Sequence, residues 1–267
     1  MHINRELIKS TYQSYISPYD LSDDKIRLKA GHIYRVADNA DLIARSIGLP
    51  QEEIDLAWLI GMLHDFGRFE QLRRYNTFID SESVDHAELG ADLLFGGPLD
   101  GDDPLHGGIK TNIRDFISDS TDDLIIEKAI RYHSALKIPS DLTEREQLHC
   151  EIIRDADKID IYRVNIDFPL ESIYNTTTEI LKSCTVSEDT LEDFYAHHCV
   201  TRAHRHTPVD HVVGHIALAY ELVYPISLKL VKEQGYMEQL MNFNSENPVT
   251  QKQFELIRKE MKAFIGG

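Results

Sequence analysis

The fold class is decided by residues 33–68, which read IYRVADNADLIARSIGLPQEEIDLAWLIGMLHDFGR. Across residues 33–47 the apolar positions recur close to every 3.6 residues, which predicts an amphipathic helix that Gly48 ends. Pro50 then opens a second helix as a first-turn residue, and Gly67 is predicted to stop it. The apolar stripe of this second helix consists of Leu56, Leu59, Ile60 and Leu63.

The rest of the chain continues the helical pattern. Asp85 with Glu88, and Thr143 with Glu146, have the spacing of a capping box, so each pair predicts the start of a helix. Strand signals are sparse, since no sustained alternation of apolar and polar residues occurs. The fold class is therefore predicted to be all-α. The predicted helices cover residues 23–47, 85–95, 122–135, 143–164, 171–182, 187–199, 208–234 and 248–265.

Composition excludes several function classes. The chain has 267 residues with 28 Lys and Arg against 45 Asp and Glu, a formal charge of −17, so most of its surface repels long nucleic acid and anionic membranes. A nucleotide substrate would need a local cluster of cations or metal ions. No stretch approaches the ~20 apolar residues of a membrane span, and the N-terminus lacks the apolar region of a signal peptide. The three cysteines are widely spaced and form no CxxC, which favours a reducing compartment, most simply the cytoplasm.

One segment differs in composition from all others. Residues 96–108 hold five glycines and two prolines, which predicts a loop. A solvated connection and a flap over a site both fit such a loop.

Histidines and aspartates on the predicted helices are the candidates for chemistry. His64 and Asp65 are adjacent at the end of an apolar helix, and His32 shares a helical face with apolar residues of the preceding helix. His86 lies in the first turn of its helix, and His133 ends an apolar face. Aspartates at 155, 157 and 160 follow in the helix predicted from residue 143, and periodicity alone does not choose among them.

These side chains have a structural and a functional explanation. A lone histidine on an apolar face is more often a hydrogen-bonded core residue than a metal ligand. Several histidines and aspartates on inward faces would instead carry a prohibitive desolvation cost unless they were paired or bound to metal. Imidazole with carboxylate suits a divalent metal, and helical bundles hold two-metal sites built from facing helices.

As an ordered set, the candidates resemble the signature of the HD-domain superfamily of metal-dependent phosphohydrolases, over about residues 28–165. That signature has an early His, an adjacent His-Asp pair and a distant Asp that follows Ala, and its two-metal branch adds two intervening histidines. The matching residues here are His32, His64, Asp65, His86, His133 and Asp157.

The resemblance implies a ligand set. Asp65 would bridge two divalent metal ions, Mn or Fe in the first place and Co, Ni or Zn as alternatives. One ion would take His32, His64, Asp65 and Asp157, and the other His86, His133 and Asp65. Asp157 is chosen over its neighbours because it matches the family context, which leaves Asp155 and Asp160 as supporting residues or surface charges.

The resemblance also implies an architecture. We expect an HD-domain helical bundle with additional C-terminal helices, as a single domain over residues 1–267. Its metal-binding core would cover about residues 20–165, and a helical extension about 166–267.

Cationic residues near these positions are candidates for contacts with phosphate. Arg68, three residues after Asp65, and Lys158, beside Asp157, are predicted to act with Asp65 in catalysis, and Arg68 also to bind substrate. A further histidine-rich stretch at 197–215 matches no closed zinc motif. The other predicted substrate contacts are Arg73, Arg74, Arg202, His204 and Arg205.

These features predict a cytoplasmic phosphohydrolase, a phosphomonoesterase or phosphodiesterase, that cleaves a nucleotide or other small phosphate ester. Two metal ions would lower the pKa of a bound water so that hydroxide forms near neutral pH. A mixed-valent di-iron oxygenase of the same superfamily uses the same ligands and stays an alternative, as does a non-catalytic regulatory module. The predicted partner is a small phosphorylated molecule, with no long nucleic acid and no membrane.

Overall fold

The computed structural model describes residues 3–96, 111–174 and 176–266. Within those ranges the chain is built from helices and turns without a β-strand, which confirms the all-α prediction. Residues 97–108 of the predicted glycine-rich loop lie outside the described residues. None of the described helices is both long enough and apolar enough to cross a membrane.

The α-helices in chain order are α1 (Arg5–Ile16), α2 (Asp24–Ser46), α3 (Gln51–Leu63), α4 (Gly67–Tyr75), α5 (His86–Phe95), α6 (Ile113–Phe116), α7 (Asp123–Tyr132), α8 (Glu144–Asp167), α9 (Leu170–Tyr174), α10 (Thr178–Ser183), α11 (Glu188–Tyr195), α12 (Pro208–Ile216), α13 (Pro225–Gln234), α14 (Tyr236–Met241) and α15 (Pro248–Gly266). Short 3-10 helices cover Asp80–Glu82, Arg202–His204 and Ala217–Glu221.

The chain divides into two compact units, Met1–Asp157 and Lys158–Gly267, and the boundary falls inside α8. The single domain over residues 1–267 stays a prediction.

The first unit is organised around α3. Its residues from Leu56 to Leu63 are all buried, so this helix is apolar on every side and not only along the predicted stripe. α3 packs against α2 and α7, and α5 packs against α4 and α7. Because α3 is buried on all sides, the residues that follow it, His64 and Asp65, also lie in the core.

A glycine allows α2 and α3 to approach closely. A Cβ atom at Gly61 would lie 2.5 Å from the Cα atom of Ala37, well inside van der Waals contact. The two backbones therefore touch at this point, three residues before His64. This contact fixes the distance between the helix that carries His32 and the helix that ends at His64.

Aromatic packing holds the turn after α3. The ring of Tyr15 on α1 stacks on Phe66 with centroids 3.8 Å apart, and its hydroxyl donates to the Phe66 carbonyl at 2.8 Å. Phe69 packs edge-on against Tyr15 from the first turns of α4. The backbone directly after Asp65 is thus anchored by both apolar contact and a buried hydrogen bond.

The second unit packs around α12, which contacts α10, α11 and α14, while α14 also contacts α13 and α15. α12 begins at Thr207 with a capping box in which the Asp210 carboxylate and the Thr207 side chain bond reciprocally to backbone N–H groups. Asp210 is fully buried because this cap satisfies its charge.

Four predicted helix boundaries are wrong. The helix predicted over 171–182 is divided into α9 and α10, since residues 176 and 177 are not helical. The predicted helix over 208–234 is interrupted after Ile216, because Leu222 and Tyr224 are extended and the residue before a proline, here Pro225, disfavours the α region. The helix predicted to reach residue 199 ends at Tyr195, since His197 adopts a left-handed φ of 58°. Gly67 starts α4 and does not merely stop the preceding helix.

Candidate metal centre

Five helices of the first unit bring the six predicted ligands together. His32 lies within α2, His64 is the C-terminal cap of α3, and Asp65 follows it. His86 is the first residue of α5, where the Asp85 side chain caps the helix, and His133 is the C-terminal cap of α7. Asp157 lies in α8, and it is the one member of the six whose side chain is more than a few per cent exposed, at 15%.

Asp65 stands between two pairs of histidines. Its Oδ2 atom lies 3.6 Å from Nε2 of both His32 and His64. Its Oδ1 atom lies 3.3 Å from Nε2 of His86 and 3.6 Å from Nε2 of His133. The two oxygens of one carboxylate therefore face two separate sets of imidazole nitrogens.

Asp157 joins the first of these sets. Its Oδ1 atom lies 3.1 Å from Nε2 of His32 and 3.8 Å from Nε2 of His64. Among the three aspartates that periodicity left open, Asp157 is thus the one placed against the histidines. Asp155 and Asp160 are buried, so neither is a surface charge.

The orientation of His64 leaves its inner nitrogen ready to bind a cation. Nδ1 lies 2.8 Å from the Gly61 carbonyl, which only accepts, so Nδ1 carries the proton. Burial lowers the pKa of His64 to about 3, and the ring is therefore neutral near pH 7. Its Nε2 atom then presents a lone pair, and it is buried without a hydrogen-bond partner. A backbone carbonyl that accepts from one ring nitrogen and so fixes the tautomer is typical of histidines that bind metals.

His86 and His133 repeat this arrangement on the other side of Asp65. His133 Nδ1 lies 2.7 Å from the Ile130 carbonyl, and His86 Nδ1 lies 3.0 Å from both carboxylate oxygens of Asp80. Both Nε2 atoms therefore present lone pairs inward, yet they are only 3.0 Å apart. Two such nitrogens need a positive charge between or beside them, which a shared proton or a metal ion supplies. Two nitrogens that bind one metal ion at ~2.1 Å, at right angles to each other, would also lie about 3.0 Å apart.

The carboxylates are held in their charged form. Burial alone would raise the pKa of Asp65, but the charge of Lys29 outweighs it and holds that pKa well below its ordinary value. Burial is likewise outweighed at Asp157 by its contact with His32, which lowers the pKa of that carboxyl. Ionised carboxylates and neutral imidazoles are the forms that bind a divalent cation, so the residues present fit the metal ions that the signature implies.

Two residues at the centre were not predicted from the sequence. Lys29 on α2 places Nζ 2.5 Å from Asp65 Oδ2, and Asp80 accepts from His86. Lys29 precedes His32 by one helical turn on the same face, so helix periodicity could have predicted that it lies near the centre. Asp80 lies in a short 3-10 turn, and its distance from His86 along the chain gives no such indication.

Arg68 lies beside Asp65 and Asp80, and its role in catalysis and substrate binding stays a prediction. Its Nε atom is 3.5 Å from Asp65 Oδ1, and Nη1 donates to the Phe78 carbonyl at 2.7 Å and to Asp80 Oδ1 at 3.0 Å. These bonds hold the guanidinium with its Nε atom buried and without a hydrogen-bond partner. The Phe78 ring lies 5.7 Å from this guanidinium and 5.9 Å from Lys29 Nζ, so both cations flank one aromatic ring.

The neighbouring arginines are engaged elsewhere. Arg73 bonds to both carboxylate oxygens of Glu70 at 2.6–3.1 Å, and Arg74 Nε donates to Glu70 at 3.2 Å. Glu70 also accepts from the Tyr19 hydroxyl. Arg68 therefore faces Asp65, whereas Arg73 and Arg74 bind Glu70.

The remaining predicted residues belong to the second unit. Lys158 Nζ pairs with Glu221 at 3.1 Å, and His204 Nδ1 pairs with Asp193 at 2.8 Å. Arg202 is exposed at the start of a 3-10 turn, and Arg205 donates to the Val200 carbonyl at 2.8 Å. Their assignment to catalysis or substrate binding stays a prediction.

Comparison with known proteins gives one match. Residues 30–162 match the family model of the HD domain, a stretch that contains all six predicted ligands. No curated protein and no solved structure shows significant similarity to the chain.

Proposed function

The chain belongs to the HD-domain superfamily, whose members are mostly metal-dependent hydrolases, and from this premise we propose that it is a metal-dependent phosphohydrolase. The proposed substrate is a nucleotide or another small phosphate ester. The observation that carries this proposal is the position of Asp65, with one oxygen toward His32 and His64 and the other toward His86 and His133.

The same geometry supports two cation subsites that share Asp65. His32, His64 and Asp157 would complete the first subsite, and His86 and His133 the second. Divalent metal ions held there would lower the pKa of a coordinated water and polarise a phosphoryl oxygen. The proposal of two ions rests on the division of the histidines between the two oxygens of one carboxylate.

The cations beside Asp65 would bind and orient the phosphate. Lys29 and Arg68 lie on the Phe78 side of the centre, and each reaches a different oxygen of Asp65. Arg68 is held by carbonyl and carboxylate acceptors that leave its Nε atom directed at the cluster. A guanidinium and an ammonium fixed in this way can bind the non-bridging oxygens of a phosphate group.

The acidic surface favours a small substrate over a polymer. With a net charge of −17, the chain repels extended polyanions, while two divalent ions and two cationic side chains would attract one phosphate locally. We therefore propose a small phosphorylated molecule as the partner and the cytoplasm as the compartment.

The proposal is tested by a phosphate-release screen on the full chain loaded separately with Mn and with Fe. The substrates are nucleotides, other phosphomonoesters and cyclic or linear phosphodiesters. We expect release from at least one class, and its loss in Asp65→Ala. Asn4→Ala is the control, because it removes the N-terminal cap of α1 and leaves every side chain of the cluster in place.

Two results would overturn the proposal. Consumption of O₂ in step with turnover by the iron-loaded chain would assign it to the oxygenases of the superfamily. A fully metallated chain that releases no phosphate from any class would indicate a non-catalytic module.

A further inference from the structure

A second cluster of polar side chains lies entirely within the second unit. Its central residue is Arg205, whose guanidinium packs flat against α12 at Gly214. A Cβ atom at that glycine would lie 2.9 Å from both Cζ and Nε of Arg205. Gly214 shares a helical face with His211 and adjoins His215, so the guanidinium lies beside both histidines.

Arg205 is a half-buried cation without a matching anion. It makes one hydrogen bond, from Nη2 to the Val200 carbonyl, and its Nε atom is buried without a partner. Among residues 158–174 and 176–266, no carboxylate forms an ion pair with it. Asp210 is within electrostatic range, but its oxygens already accept from Ser187, His206 and Thr207. This half-buried guanidinium has four unused N–H donors, of which the Nε–H is buried, and an anion from solution that paired with it would stabilise it.

A chain of hydrogen bonds fixes the protonation of His215. The Asn165 side-chain amide donates to the Ile161 carbonyl at 2.8 Å, so its Oδ1 atom is the acceptor that faces Tyr174. That oxygen lies 2.6 Å from the Tyr174 hydroxyl, which must therefore donate to it. The Tyr174 oxygen then accepts from His215 Nδ1 at 3.0 Å. His215 carries its proton on Nδ1, and its Nε2 atom is a hydrogen-bond acceptor.

A metal ion is a poor occupant of this cluster. His211 and His215 are four residues apart on one helix and could offer two nitrogens to a cation. The guanidinium of Arg205 at Gly214, however, places a positive charge near both of them. Burial first, and then that charge, lower the pKa of His215 to about 3. The same environment that repels a proton also repels a divalent cation, and it favours an anion.

We propose that this cluster binds a small oxyanion that also carries a hydroxyl group, of which hydrogen phosphate is the simplest example. Arg205 binds the anionic oxygens through its unused N–H donors. His215 Nε2 accepts from the hydroxyl. The proposal concerns a site built by the second unit alone, and it does not depend on the activity of the metal centre.

A comparison of phosphate with sulfate distinguishes the binding of the anionic oxygens by Arg205 from the binding of the hydroxyl by His215. At mildly alkaline pH both are tetrahedral dianions of similar size, but only phosphate retains a proton. Titration calorimetry on the full chain at constant ionic strength is expected to show that phosphate binds about tenfold or more tightly than sulfate. This difference in affinity corresponds to the free energy of one hydrogen bond that involves a charged partner. Equal affinity for the two anions, or no binding of phosphate, would overturn the proposal.

Variants assign the signal to the cluster. Arg205→Met is expected to weaken the binding of both anions by about tenfold or more, and Arg205→Lys, which keeps the charge and loses the planar fork, to weaken it less. His215→Phe is expected to remove the preference for phosphate while sulfate still binds. Arg163→Met is the matched control in the same unit, since Arg163 pairs with Asp167 at 2.8 Å and its loss should leave both affinities unchanged.

The metal centre is excluded as the source by repeating the titration in Asp65→Ala, where the phosphate signal is expected to persist. Its disappearance in that variant would refute the site in the second unit. Thermal unfolding of each variant checks that the chain is folded. Unchanged phosphate affinity in whichever Arg205 variant folds would also refute the proposal.

Discussion

Replacing Asp80 with Ala separates the two halves of the candidate metal centre. Asp80 contacts Nδ1 of His86 with both carboxylate oxygens at 3.0 Å, and its Oδ1 atom also accepts from Arg68 and Gln71. Without it, His86 loses the acceptor that keeps the proton on Nδ1 and directs Nε2 inward. Removing such a partner of a metal-binding histidine typically costs 10–100-fold in metal affinity, or about 1.4–2.7 kcal/mol. In the first subsite, His32, His64 and Asp157 contact one another and Asp65, and this subsite should keep its affinity.

The assay is a titration of the metal-free chain with Mn²⁺, followed by electron paramagnetic resonance of free Mn²⁺. Wild type is expected to bind two equivalents, and Asp80→Ala to keep one and weaken the other by 10–100-fold. Asn4→Ala is the control, because it removes the cap bond to Leu7 at the start of α1 and costs about 1 kcal/mol of stability without changing a carboxylate near His86. Equal weakening of both equivalents in Asp80→Ala, or no weakening of either, would refute the reasoning.

Three further predictions concern catalysis, packing and acid stability. Arg68→Met should lower turnover by about 100-fold with metal content intact, and an unchanged rate would assign Arg68 a structural role only. Gly61→Ala should lower the free energy of unfolding by about 1–3 kcal/mol in urea titration, because its Cβ would overlap the backbone of α2, whereas a Cβ at Gly31 meets only a flexible side-chain tip and should be tolerated. The hydrogen bond from His149 is the main cause that lowers the pKa of Glu53 to about 2, so Glu53 stabilises the chain above its ordinary value of 4.5 and loses this contribution as pH falls toward 2. Glu53→Gln should therefore flatten the dependence of unfolding free energy on pH in that window, and an unaltered slope would contradict it.

Helix periodicity was enough to predict that His32, His64 and Asp65 lie in the core. His32 shares its face with apolar residues, and His64 and Asp65 follow a helix whose every side is buried. Such residues enter the core wherever the helices pack. Periodicity did not choose among the three aspartates of α8, and the family context was needed to select Asp157, which lies against His32 and His64.

The supporting residues were harder to predict because their positions depend on non-helical backbone. Asp80 reaches His86 from a 3-10 turn, and Arg68 is held by the carbonyl of Phe78 in the same connection. No sequence period describes such a segment. Arg73 and Arg74 both pair with the buried Glu70, a contact that the sequence did not indicate, and their assignment to substrate binding stays a prediction.

The interruption of the predicted helix over 208–234 has a local cause that the sequence contains. Pro225 restricts the residue before it, and Tyr224 is extended as that restriction requires. Because a proline inside a helical pattern usually ends the helix, the predicted helix should have stopped before Pro225.

The central claim is that one carboxylate, Asp65, organises two cation subsites. The measurement that tests it most directly is the metal content per chain, by mass spectrometry of elements, on protein purified without added metal, chelator or a histidine tag. The account predicts about two Mn, Fe, Co or Zn ions per wild-type chain, and the loss of both in Asp65→Ala. One ion or fewer after incubation with Mn²⁺, or two ions retained by Asp65→Ala, would contradict it.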